Sequence, residues 1–171
     1  MMDIQLVAGT CEIPDAGVFL RRLGEIASVY GITVQAIDAN RIAGRAHVIS
    51  AIEKAVRATA RSENISDDLG MEILLYASGN RQIKKALAMG IAAGRNNVVL
   101  VAVGGEIPDE AVSELESLVV AADVISYGRA KRDAIVSFFG ITESEIAAAG
   151  EEKIPDLVLE RVALTGLWKS G

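Results

Sequence analysis

The spacing of apolar positions changes period several times along the chain, and each change marks an expected element. Residues 4–8 (IQLVA) read as a strand, followed by a helix over about 14–29 that Gly31 closes. TVQAIDA (33–39) reads as the next strand, and a long helix is expected over 44–61. Ser66 is placed to cap a helix running through MEILLYA to Gly79, and Asn80 to cap a further helix, RQIKKALAMGI. NNVVLVAV (96–103) has no polar alternation, the pattern of a strand buried on both faces, and Gly104 and Gly105 bound it. A helix over 108–120, a short strand near 124–127 and helices over 130–139, 143–149 and 155–168 complete the pattern. All three prolines stand in the tripeptide Ile-Pro-Asp, at 13–15, 107–109 and 154–156. This is helix-start grammar: proline suits the first helical position and Asp complements the dipole of the first turn.

These elements describe an α/β fold, a small mixed β-sheet flanked by several α-helices, in a single domain over residues 1–171. Composition agrees. Apolar residues make up 51% and aromatics only 4%, with a mean hydropathy of +0.34, so the excess is aliphatic, as in a sheet covered by helices. There is no uninterrupted apolar run long enough to span a membrane. The start, MMDIQLVAGTCEIPDAG, lacks the basic region of a signal peptide. A lone cysteine, Cys11, cannot form an internal disulfide, which points to a reducing compartment and a cytoplasmic location. The net charge of −6 argues against loose coating of nucleic acid, yet residues 41–95 hold nine Lys/Arg against five Asp/Glu. A basic middle third inside an acidic protein permits one specific anionic partner.

Catalytic patterns are thin. The segment VVLVAVGGEIPDE has neither GxGxxG nor a Walker-type Gly-Lys-Ser/Thr, and Glu106, Asp109 and Glu110 crowd the place a phosphate would take. A small ligand at the Gly104–Gly105 turn, in a sensor or enzyme domain, is the competing reading there. One His and one Cys suggest no metal site, and no cofactor is expected. His47 lies near Ser50 on a helix face, but nothing indicates an orienting acid.

Three constellations remain. In the long helix His47, Ser50, Lys54, Arg57 and Arg61 recur at spacings of 3, 4, 3 and 4, one stripe that either follows a phosphate backbone or is a solvated face. At Ser78-Gly79-Asn80-Arg81-Gln82-Ile83 one helix ends and another begins. Free N–H groups and Arg81 would receive an anion there, Gln82 a base edge and Ile83 a base face, with Lys84 beside them. The plainer reading is a helix–helix corner. The last helix carries apolar residues on more than one stripe, so Leu157, Leu164 and Trp168 are candidates for a partner surface or for the core.

The run Glu72-Ile73-Leu74-Leu75-Tyr76-Ala77-Ser78-Gly79-Asn80-Arg81-Gln82-Ile83, preceded by the helix with His47, Ser50-Ala51, Ala55 and Arg57-Ala58, resembles the KEOPS-complex regulatory subunit family. This is the family of the PRPK-binding protein, and the chain looks like an archaeal member; Ile-Pro-Asp-Leu-Val-Leu-Glu near the end adds weak support. The resemblance implies a non-catalytic α/β protein that binds the complex's kinase-like ATPase subunit. It also implies a part in tRNA threonylcarbamoyladenosine synthesis by capture of the 3′ CCA end. A pure protein scaffold without RNA affinity is the alternative.

Overall fold

The apolar run at 96–103 becomes the middle of a strand with a partner on each side. A computed structural model describes residues 2–167. In it β3 (Gly94–Gly104) pairs along its whole length with β1 (Asp3–Ile13), from Asp3 opposite Gly104 to Ile13 opposite Gly94. β2 (Thr33–Asp38) lies on the other side of β3. The two-residue β4 (Val120–Ala121) pairs with Gly9 and Thr10 of β1, giving the order β2-β3-β1-β4. The fold is α/β, as the sequence indicates; all pairings are antiparallel rather than a mixture of directions. Val98 to Val103 are all buried, which is why that stretch needs no polar alternation.

Connectivity follows from the pairing. α1 (Ala16–Tyr30) joins β1 to β2 and α5 (Asp109–Glu116) joins β3 to β4, each spanning a strand that lies between the two it connects. Two split β-α-β units are thus interleaved, in the β-α-β-β-α-β arrangement. Between β2 and β3 the chain builds α2 (Arg45–Ala60), α3 (Leu69–Ser78) and α4 (Ile83–Leu87). After β4 it builds α6 (Arg132–Phe139), α7 (Glu143–Ala149) and α8 (Ile154–Thr165). Two compact units result: a sheet unit, up to Ala39 and again over Gly90–Val124, and a helical unit, Asn40–Met89 and from Ile125 onward. In the sheet unit Val98, Leu100 and Ala102, alternate residues of β3, meet Leu23 and Ile26 of α1 and Ala111 and Leu115 of α5.

Local grammar sets the helix ends. Asp15 caps α1, its Oδ1 accepting from the Val18 N–H at 3.0 Å, and Gly31 ends the helix in the left-handed region at φ 63°. The second Ile-Pro-Asp puts Pro108 at the cap and Asp109 at the first position of α5; the third puts Pro155 and Asp156 in the first turn of α8. Asp68, not Ser66, caps α3, accepting from the Met71 N–H at 3.1 Å. The Ser66 hydroxyl is already committed, because its Oγ accepts from the Asp68 N–H at 3.2 Å. The short strand falls at 120–121 and not at 124–127, since the Val124 N–H turns back onto the Ala122 carbonyl.

Gly9 permits β4 to exist. A Cβ there would stand 2.2 Å from the Val120 carbonyl oxygen, a backbone atom with no room to yield. Gly9→Ala is therefore expected to detach β4 and lower stability by about 1–3 kcal/mol. Denaturant unfolding together with faster amide exchange at Val120–Ala122 would read it. Unchanged exchange there would mean that the strand shifts without cost.

Candidate functional site

The helical unit is organised around α3, whose residues 72 to 78 are all buried. A helix apolar on all sides needs cover on all sides, and α2, α4 and α8 pack against it. Its buried polar groups are matched. The Glu72 carboxylate accepts from the N–H groups of Ile65 (2.9 Å) and Ser66 (2.8 Å), tying the preceding loop down. The Ser78 hydroxyl donates to the Leu75 carbonyl at 2.7 Å.

His47 belongs to this interior and not to the outer stripe. It is 1% exposed, and its ring meets Phe139 edge-on with centroids 5.5 Å apart. The Ala43 N–H donates to its Nδ1 at 3.0 Å, so the proton sits on Nε2, which donates to the Ala77 carbonyl at 2.8 Å. Desolvation holds its pKa down to about 4, and the nearby Lys131 charge lowers it as well. The helical spacing that aligned His47 with the cations is real, but the helix start turns inward over the chain leading into it. The imidazole cannot reach an RNA from there.

The remainder of the stripe does converge. Lys54, Arg57 and Arg61 of α2 line a cleft of about 170 Å³ with Tyr76 of α3 and with Ala163 and Gly166 at the end of α8. Arg57 and Arg61 are exposed, Lys54 and Ser50 half-buried. Among the described residues of the lining Glu63 is the single carboxylate. Gly166 has a steric reason: a Cβ there would stand 2.8 Å from the Tyr76 hydroxyl oxygen. Burial raises the pKa of that hydroxyl, so it stays protonated beside the cations.

The Ser78 to Lys84 segment is a packed corner with an exposed rim. Gly79 (φ 64°) comes so close to α8 that a Cβ would stand 3.1 Å from the Arg161 Cβ. Arg81 donates to the Thr165 carbonyl at 3.2 Å, near the end of α8. Asn80 Oδ1 accepts from the Gln82 N–H at 2.9 Å, and α4 is only five residues long. The open helix start expected to receive an anion is therefore partly filled by the chain itself. Gln82, Ile83 and Lys84 are exposed, and Ile83 (53%) shares an apolar face with Leu87 (57%). Lys85 lies over the Phe138 ring, 4.1 Å from its centroid, with Arg41 on the same ring at 4.7 Å.

α8 buries Ile154, Val158, Val162 and Thr165 and leaves Leu157 and Leu164 half-buried, seven residues apart on one side. Trp168 lies outside the described residues. Between Leu157 and Leu164 stands Arg161, which sequence reasoning missed. Its guanidinium donates to the Phe139 carbonyl at 2.9 Å and to the Glu145 carboxylate at 3.0 Å, joining α6, α7 and α8. Glu145 in turn completes the capping box of α7 with Thr142, a Thr-x-x-Glu signal readable from the sequence. Nothing comparable announces Arg161. No group of His, Cys, Asp and Glu suited to a metal occurs among the described residues. Gly104, considered for a ligand turn, is where a Cβ would meet the Ile32 side chain at 2.8 Å.

Because His47 is buried neutral, its contribution to stability is fully present above its unfolded pKa near 6.5 and is lost as pH falls towards 4. Between pH 7 and 4 the protein should lose up to about 3 kcal/mol more than His47→Gln, which keeps a donor and an acceptor. Urea unfolding at each pH measures this. Parallel pH profiles would show that the imidazole is not kept neutral by the fold.

Comparison with known proteins adds one result. No curated protein matches the chain. Residues 22–166 match the family described as kinase binding protein CGI-121, a span that takes in the α2 cations, all of α3, the corner and α8. The chain belongs to the CGI-121 family of kinase-binding proteins.

Proposed function

We propose that this protein is the non-catalytic regulatory subunit of the KEOPS complex, acting in the cytoplasm. In this role it binds the kinase-like ATPase subunit and holds the 3′ CCA end of tRNA for threonylcarbamoyladenosine synthesis. Family membership supports the kinase partner. The observation that carries the RNA reading is the cleft in which Lys54, Arg57 and Arg61 meet Tyr76. Among the described residues three cations against one carboxylate favour a phosphate backbone, and a protonated tyrosine hydroxyl can donate to it. The rim at Gln82, Ile83 and Lys84 offers an amide for a base edge, an apolar surface for a base face and a further cation. Arg81 keeps further donors beyond the one given to Thr165. His47 has no direct part in this reading.

The decisive comparison is binding of the purified protein to intact tRNA and to the same tRNA without its CCA end, at two salt concentrations. Binding is expected to need the CCA end. Arg57→Glu with Arg61→Glu should weaken it and lower the salt slope by about 2, one unit for each phosphate no longer neutralised. Equal binding by the double variant would reduce the stripe to a solvated face. No binding to either RNA would leave a protein scaffold.

We assign the kinase-like subunit to the flank of α8 that carries the half-buried Leu157 and Leu164. Leu157→Asp with Leu164→Asp is expected to abolish co-elution with that subunit while leaving the unfolding transition cooperative. Retained co-elution by the folded variant would move the docking surface elsewhere.

A further inference from the structure

The sheet unit carries a feature that the RNA and kinase readings do not use. β1 is eleven residues long and paired throughout with β3, but on its other side β4 pairs only with Gly9 and Thr10. The Ala122 N–H donates to the Ala8 carbonyl at 3.4 Å, so Ala8 points its backbone groups to the β4 side. In an extended strand the same holds for the other even-numbered residues, Leu6 and Ile4. After Ala122 the chain turns away, leaving this edge uncovered. The Ile4 N–H is closed by the Asp3 carboxylate at 3.0 Å. The Ile4 carbonyl and both backbone groups of Leu6 face outward with no partner among the described residues. Beside them is a cleft of about 280 Å³ lined by Leu6, Val7, Ala8, Glu116, Val119 and Ala121.

An exposed strand edge is a template for another strand, and proteins usually blunt such edges with lysine, proline or a bulge. None of these stands at residues 3–8. A second copy fits poorly. With two β1 strands antiparallel about Leu6, the second copy's Ala122 would fall where Ile4 lies, because β4 occupies the same lane. The occupant must be a strand that continues that lane past Asp3. Charge narrows it further: up to Ala39 and over Gly90–Val124 the sheet unit has eleven Asp/Glu against three Lys/Arg. Asp3 and Glu116 stand at the edge itself. We propose that the open edge of β1 at residues 4–6 takes a lysine- or arginine-bearing extended segment of a partner protein as an added strand. Backbone hydrogen bonds to Ile4 and Leu6 supply the register, the cleft takes an apolar side chain, and the carboxylates select the cations.

The test uses the full chain and a capped hexapeptide of alternating lysine and valine. Amide exchange at Leu6 should slow by about tenfold or more at saturating peptide, the worth of one hydrogen bond. The glutamate–valine counterpart, and the lysine–valine peptide N-methylated on alternate residues, should leave it unchanged. Leu6→Pro removes the outward donor without touching the ladder to β3, so binding of a fluorescently labelled peptide to that variant, followed by anisotropy, should be lost. Should that variant not fold, the N-methylated peptide still decides the matter. Unslowed Leu6 exchange at millimolar peptide, equal slowing by the glutamate peptide or by the N-methylated one, or slowing with protein concentration alone would each overturn the proposal.

Discussion

A helix with no solvent face imposes a strict condition on everything around it. Residues 72 to 78 of α3 enter the interior with a carboxylate, a serine hydroxyl and the carbonyls of a helix end. Each buried group left unpaired would cost on the order of 1–3 kcal/mol. The buried side chains of the helical unit are arranged so that none is. Glu72 draws the 65–66 loop inward, and His47 spans from the start of α2 to the Ala77 carbonyl. The corner after α3 is tied to α8 by the close approach of Gly79 and by the Arg81 bond to Thr165. No buried side-chain nitrogen or oxygen among the described residues lacks a partner.

That condition also sorts the charged residues. Those needed inside the helical unit are spent on carbonyls and a carboxylate: Arg161 on the Phe139 carbonyl and Glu145, and Lys131 on the carbonyls of Ile42 and Ile125. Arg57 and Arg61, on the outer side of α2, remain exposed beside Tyr76. The sheet unit, by contrast, is poor in cations, with eleven Asp/Glu against three Lys/Arg where the helical unit has twelve against fourteen. A protein of net charge −6 can thus present a cationic cleft, because its charges are segregated by unit and not averaged over the surface.

Much of this was legible beforehand where physics is local. The left-handed glycines Gly31 and Gly79 and the unalternating strand at 96–103 each depend on a few neighbouring residues. Resemblance at Glu72 to Ile83 identified the family that the match over residues 22–166 establishes. Misplaced ends have particular causes. Ser66 loses the capping position because its hydroxyl accepts from the Asp68 N–H and the Asp68 carboxylate takes the helix start. The last short strand moves to 120–121 because Gly9, more than a hundred positions earlier, is the place where a strand can approach β1 so closely.

By itself the sequence determined the periods, the closing glycines Gly31 and Gly79, the α/β class and the cations Lys54, Arg57 and Arg61 on one face of a helix. These follow from spacing and side-chain chemistry within one or two turns. Only the tertiary structure decided that His47, on the same stripe, points into the core, since helical spacing describes a face without saying what covers it. The fold likewise brought Tyr76 and Gly166 to the cations and committed Arg81 to a carbonyl of α8. It left one edge of β1 open. Each of these depends on contacts between residues far apart in the chain, and their geometry exists only once the helices and strands have packed.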